Sequence, residues 1–280
     1  MSESDPRSAL EAAGQLPDDE LDVATIALHF ARLDAPGADW CAASQHLSDI
    51  ARAAAEAASQ NAAADEGDAE ARRMVLARLI HEDFGYHGDI ESYEDLANAN
   101  LLRVIERRRG LPVALGILWM HAADAAGWPT HGLDFPGHFF LSMEGVRGQA
   151  VLAPFAGGAA MDAPALRSML KRIEGPKAEL RPGMVAPVQR RAVLLRLQNN
   201  VKLRRLKHHD MEGALTCVED MLRLAPDTAA LWREAGLMNQ RLDRIGAALT
   251  SLERFLRLIP TGEAADRVRG VMEELRQRLN

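Results

Sequence analysis

Apolar positions recur every three to four residues along most of this 280-residue chain, the spacing that lines one face of an α-helix. Leu21, Ala24, Ile26, Ala27, Phe30 and Leu33, then Leu47, Ile50, Ala54 and Ala57, predict two helices across 19–62, parted by Pro36 and Gly37. Over 68–84 the set Val75, Leu76, Leu79, Ile80 and Phe84 predicts a third amphipathic helix, closed by Gly85 and Gly88. An acidic, asparagine-rich turn over 91–100 leads into the stretch that ends at Gly110. Residues 111–127 break the pattern because they are apolar nearly all round, with Pro112 in the first turn and Gly127 at the end. A buried central helix is expected there. The period then shortens. Segments near 130–135, 138–144 and 149–155 lie between the turn residues Pro136, Gly137, Gly145, Gly148, Gly157 and Gly158, which predicts a small antiparallel sheet. Helices resume from 163, and the Gly175–Pro176 and Pro182–Gly183 breaks mark a linker.

The C-terminal third repeats itself. MLRLAP at 221–226 aligns with FLRLIP at 255–260, and at the same offset Leu197 meets Leu231, Leu203 meets Leu237, Ala214 meets Ala248, Leu215 meets Leu249 and Glu219 meets Glu253. An offset of about 34 residues is the tetratricopeptide period, in which paired antiparallel helices bury their faces by stacking on a neighbour. Ala214 and Ala248 take the tight crossing, each proline closes a second helix, and the residues after Thr261 read as a capping helix. Trp232 and the repeated leucines are expected in the core. Two units fall short of the usual minimum of about three, so the pair needs a further surface to pack on.

Composition narrows the functional classes. Hydrophobic residues make up 48% and charged residues 26%, with aromatics at only 5%, which suits a helix-rich globular chain. Cys41 and Cys217 stand far apart, so neither a disulfide framework nor a zinc knuckle is expected. Both read as small buried residues. No secretory leader or membrane-spanning run is visible, and a soluble, cytoplasmic protein is expected. The net charge of −7 argues against a globally basic nucleic-acid binder. Charge is uneven, however: residues 1–70 carry 3 basic and 15 acidic side chains, whereas 163–209 carry 12 and 2. That basic segment either complements the acidic one, solvates its helices, or binds an acidic surface or phosphates. The nine histidines are scattered with no metal-ligand spacing, so no metal and no cofactor is expected.

Residues 84–155 carry a resemblance. The strings FGYHGDIESYEDLANANLL, VIERRRGLPVALGILWMHAADAAGWPTHGLDFPGHFFL and APFAGG resemble the bacterial SirB family, whose members join a transglutaminase-like core to tetratricopeptide repeats. The resemblance implies a papain-related α+β core, predominantly helical, with a small antiparallel sheet and a helical repeat tail. The expected division is 1–70 as a helical segment packing on the core, 71–162 as the transglutaminase-like core, 163–190 as basic helix and linker, and 191–280 as two repeats plus a cap. In that superfamily a thiolate sits at a helix N-terminus, a histidine takes its proton and a carboxylate orients the histidine. Carried onto this chain, the nucleophile position reads Pro112, the histidine His138 and the acid Ala153. One of three required groups survives, with Asp134 as a weak substitute for the acid.

His138 is then either a structural histidine or part of an anion or peptide-carboxylate pocket with the helix start, Arg107, Arg108 and Asn100. The arginines 107–109 could equally pair with Glu94, Asp95 and Glu106, and Asn98 and Asn100 hold the turn. The expected function is a non-catalytic adaptor or regulatory protein, a pseudoenzyme core whose repeats take a protein or peptide partner. The alternatives are a cryptic hydrolase or amidase using His138, and a binder of nucleic acid or acidic protein through 163–209. Nucleic acid and membrane are not expected as partners under the first reading.

Overall fold

A computed structural model describes residues 5–278. The described residues form two compact units: one holds Pro17–Leu197, the other the residues up to Leu16 together with those from Gln198 onward. This differs from the division expected from composition, because α1 (Pro6–Gly14) groups with the repeats.

In the first unit, α2 (Val23–Asp34) and α3 (Trp40–Ser59) are the two helices the periodicity predicts. Each starts on an aspartate: Asp22 accepts from the Ala24 and Thr25 N–H groups, and Asp39 from Ala42 N–H. Next come the short α4 (Ala62–Asp65) and α5 (Ala69–Leu76), whose last turn widens into a π-helical stretch, Ala77–Asp83. The strand β1 (His87–Gly88) pairs in parallel with β2 (Arg109–Gly110), which follows α6 (Leu101–Arg107). From β2 the chain enters α7 (Pro112–Ala125), in which ten residues are buried, Trp119 among them at 1% exposure. The all-round apolar pattern therefore marks the central helix, as expected.

The sheet is antiparallel, in the order β6–β5–β4–β3–β7, with β3 Thr130–Phe135, β4 His138–Gly145, β5 Gly148–Ala153, β6 Ala159–Ala160 and β7 Pro187–Val188. Its two faces are covered differently. Phe139 of β4 meets α7 at Gly116, where an added Cβ would lie 2.4 Å from the ring. Phe140, on the other face by strand alternation, packs with Leu133, Phe135 and Ala153 against Leu166 and Leu170 of α8 (Ala163–Glu174).

The second unit contains α1, α10 (Met211–Leu224), α11 (Ala229–Arg241), α12 (Ile245–Leu258) and α13 (Glu263–Gln277). The helix before them, α9 (Arg190–Lys207), contributes its residues from Gln198 onward. Ala214 and Ala248 are fully buried, as the repeat requires. Leu203 and Leu237, expected in the core, are instead 53% and 38% exposed, while Trp232 is half-buried and donates to the Pro226 carbonyl at 2.7 Å. The further surface the two repeats need is supplied in part by α1. Leu10 and Ala13 are buried there, Arg7 pairs with Asp220 at 2.9 Å, and Glu11 pairs with Arg223.

Candidate functional site

The resemblance puts the nucleophile position at the start of α7, the positive end of a helix dipole. The residue there is Pro112, at the first helical position, and the preceding Leu111 gives no side-chain cap. Proline fits this position because its missing N–H would be unpaired anyway. Its ring carries no group able to attack a carbonyl. Ala153 ends β5 at 8% exposure, its methyl group in the cluster between the sheet and α8. It offers no carboxylate.

His138 opens β4, opposite Phe135. Its neighbour Phe139 faces α7, so alternation turns His138 to the same side as Phe140, towards α8. The imidazole lies parallel to the Phe140 ring, at 6.0 Å between centroids and 9° between planes. Burial holds its pKa below the ordinary histidine value, and the charge of Arg172 on α8 adds to that effect. Among the described residues, no carboxylate forms an ion pair or hydrogen bond with this imidazole. Asp134 does not supply one: it pairs with Phe139 across the hairpin, on the other face, and forms an ion pair with Arg196. Arg196 also donates to the His138 carbonyl at 2.9 Å and lies over the Phe139 ring.

The other residues expected in an anion pocket have separate engagements. Arg107 donates to Asp89 at 2.9 Å and to the Asn98 side chain at 3.2 Å. Arg108 closes α6 in the left-handed region at φ 56°, where its guanidinium covers the Tyr86 ring and meets His46 and the Tyr86 hydroxyl. Asn100 is buried, donates to the Ala31 carbonyl at 3.0 Å and caps α6 by accepting from Arg103 N–H at 3.2 Å. Among the described residues, Arg107, Arg108, Asn100 and His138 share no hydrogen-bonding partner. The turn role of Asn98 and Asn100 is the one the geometry displays, with Asn98 donating to the Ser92 carbonyl at 2.7 Å.

Sequence reasoning missed two clusters in this region. Asp89 is fully buried, accepts from the Ser92 hydroxyl and N–H and from Arg107, and its pKa is lowered to about 2, chiefly by the two Ser92 bonds. The Asp89–Ser92 spacing is a local aspartate-turn signal, but nothing local points to Arg107. His46 is pushed down to about 4 by burial and by Arg108, and burial raises Tyr86 to about 12. Both clusters lie under or beside the segment that delivers α7. The two thiols, Cys41 and Cys217, lie on α3 and α10, away from the start of α7 in the chain. Cys217 is buried in the repeat unit and donates to the Gln198 carbonyl. Cys41 is exposed on the first turn of α3, contrary to the burial expected of it. It reaches the surface because the face that α3 buries is set by Ala43, Leu47, Ile50 and Ala54.

Comparison with known families is decisive for the scaffold. A model of the transglutaminase-like superfamily matches residues 42–199, more than half of the chain, and a tetratricopeptide-repeat model matches 201–273. The chain belongs to the transglutaminase-like superfamily. Within it, this transglutaminase-like protein is 32% identical over 178 residues to a UPF0162 protein of Vibrio cholerae, covering 63% of this chain and 66% of that one. It is 30% identical over 169 residues to a UPF0162 protein of Xylella fastidiosa, covering 59% and 60%. It is also 26% identical over 169 residues to Protein SirB1 of Salmonella typhimurium, covering 60% and 62%. The matched region spans less than two thirds of each of these relatives. These transglutaminase-like and repeat matches agree with the SirB-type architecture read from residues 84–155 and from the 34-residue offset. Among the described residues, no helix is long and apolar enough to cross a membrane.

Proposed function

We propose that this protein is a non-catalytic adaptor or regulator, a transglutaminase-like core that has lost its chemistry and is joined to repeats that hold a protein partner. The observation that carries this reading is Pro112 at the start of α7, where a thiol would be needed. Ala153 in place of the acid and the orientation of His138 towards α8 support it. The repeats support the interaction role through Leu203 on α9 and Leu237 on α11, which occupy equivalent positions and are both exposed. Repeated apolar side chains left in water on adjacent units suit a partner's apolar face. The same reading places the protein in the cytoplasm, where both thiols stay reduced.

Partner retention by the intact chain, compared with Leu203→Asp/Leu237→Asp in the same chain, tests this. The expected result is loss of the retained protein with an unchanged melting temperature, because both positions are solvent-exposed. Retention by the double variant equal to that of the parent, or turnover of peptide amides by the purified parent, would contradict the proposal.

A further inference from the structure

The basic residues of 163–209 fall into two sets. Those on α9 are engaged: Arg190 with Asp124, Arg196 with Asp134, Lys202 with Glu234 and Arg205 with Asp210, while Arg191, Arg204 and Lys207 also have partners. The five on α8 and the loop after it, Arg167, Lys171, Arg172, Lys177 and Arg181, are exposed. None of these five forms an ion pair with a described residue, and the only acids within their span are Glu174 and Glu179. The acidic first segment therefore does not neutralise them.

This cationic surface is fixed in direction. Leu166 and Leu170 bury the opposite side of α8 against the sheet, at 4% and 0% exposure. Arg167 and Lys171 stand one helical turn apart with Arg172 adjoining, three charges within a rise of about 7.5 Å.

We propose that α8 and the loop to Arg181 bind an acidic peptide segment of a partner protein, whose carboxylates pair with the five cations. The observations favour a peptide over a nucleic acid. Residues 163–188 contain no Phe, Tyr or Trp, so no platform for stacking bases is present. The patch is also short, five cations within 167–181, too few for the run of phosphate contacts that nucleic-acid affinity draws on. This site is separate from the repeat surface proposed above, and its test does not depend on that one.

Fluorescence anisotropy of the full-length protein with a short labelled Glu/Asp peptide tests the proposal. A Gln/Asn version of that peptide and a labelled oligothymidine of equal charge serve as comparisons. The acidic peptide is expected to bind, to weaken steeply with added salt, and to lose affinity by about tenfold or more in Arg167→Glu/Lys171→Glu/Arg172→Glu. The neutral triple replacement by Gln should give a smaller loss in the same direction, and it covers the case in which charge reversal disturbs folding. Absence of acidic-peptide binding at low salt, equal binding by both triple variants and the parent, or tighter binding of the oligothymidine would each overturn the proposal.

Discussion

Asp89 shows at the residue scale what the run before α7 does physically. Its N–H donates to the Gly110 carbonyl at 3.3 Å, and its carboxylate is held by Ser92 and Arg107, so the 91–100 turn, α6 and the strand before α7 are tied at one point. The carboxyl's folded pKa of about 2 lies below its unfolded value of about 3.9. The stabilisation is therefore fully present above about pH 4 and is lost as pH falls towards 2. Asp89→Asn is expected to cost about 2 kcal/mol at pH 7, the size of a lost charged hydrogen-bond set. It should also flatten the acid limb of stability between pH 4 and pH 2, measured by urea unfolding across that range. What the sequence alone conveys here is the turn. The Arg107 contact is illegible because it depends on how α6 returns over the loop. Cys41 fails for a related reason: a lone cysteine on a mixed helix carries no sign of which face will be buried.

At the element scale, α7 and β4 depend on a single close approach. Gly116 has no Cβ, and Phe139 fills that space at 3% exposure. Gly116→Val should destabilise the protein by about 2–3 kcal/mol through overpacking, despite glycine's poor intrinsic helix propensity. A thermal or denaturant melt reads this directly, and a stabilised variant would show that the ring can move aside. The central helix and the three main strands were legible because their apolar periods extend over many residues. The two-residue strands β1, β2, β6 and β7 were not, since no period can be read from two positions. The π-helical stretch Ala77–Asp83 was hidden as well, because it continues an amphipathic pattern that reads as ordinary helix.

At the scale of the whole molecule, the repeat unit borrows a helix from the far end of the chain. Arg7 meets Asp220 across 213 positions, and Gly14 lies so close to α10 that an added Cβ would fall 2.4 Å from the Arg223 carbonyl oxygen. No local pattern reveals such a pairing: α1 buries only Leu10 and Ala13. Leu10→Ala should remove about 2–4 kcal/mol from the repeat unit. The expected signature is faster amide hydrogen exchange along α10, and unchanged exchange there would separate α1 from repeat stability. The residue types at Pro112 and Ala153 were plain in the sequence; that these are the nucleophile and acid positions is what the resemblance implies and belongs to the proposed function. The orientation of His138 was not plain there, since it needs the strand register.

The most direct test of the proposal that the core lacks a nucleophile is intact-mass spectrometry of the full-length protein after incubation with an electrophilic glutaminyl peptide and a primary amine. The account predicts an unmodified protein mass and an unconsumed peptide. A stoichiometric covalent adduct on the chain, or amine incorporated into the peptide and lost in His138→Ala, would contradict it.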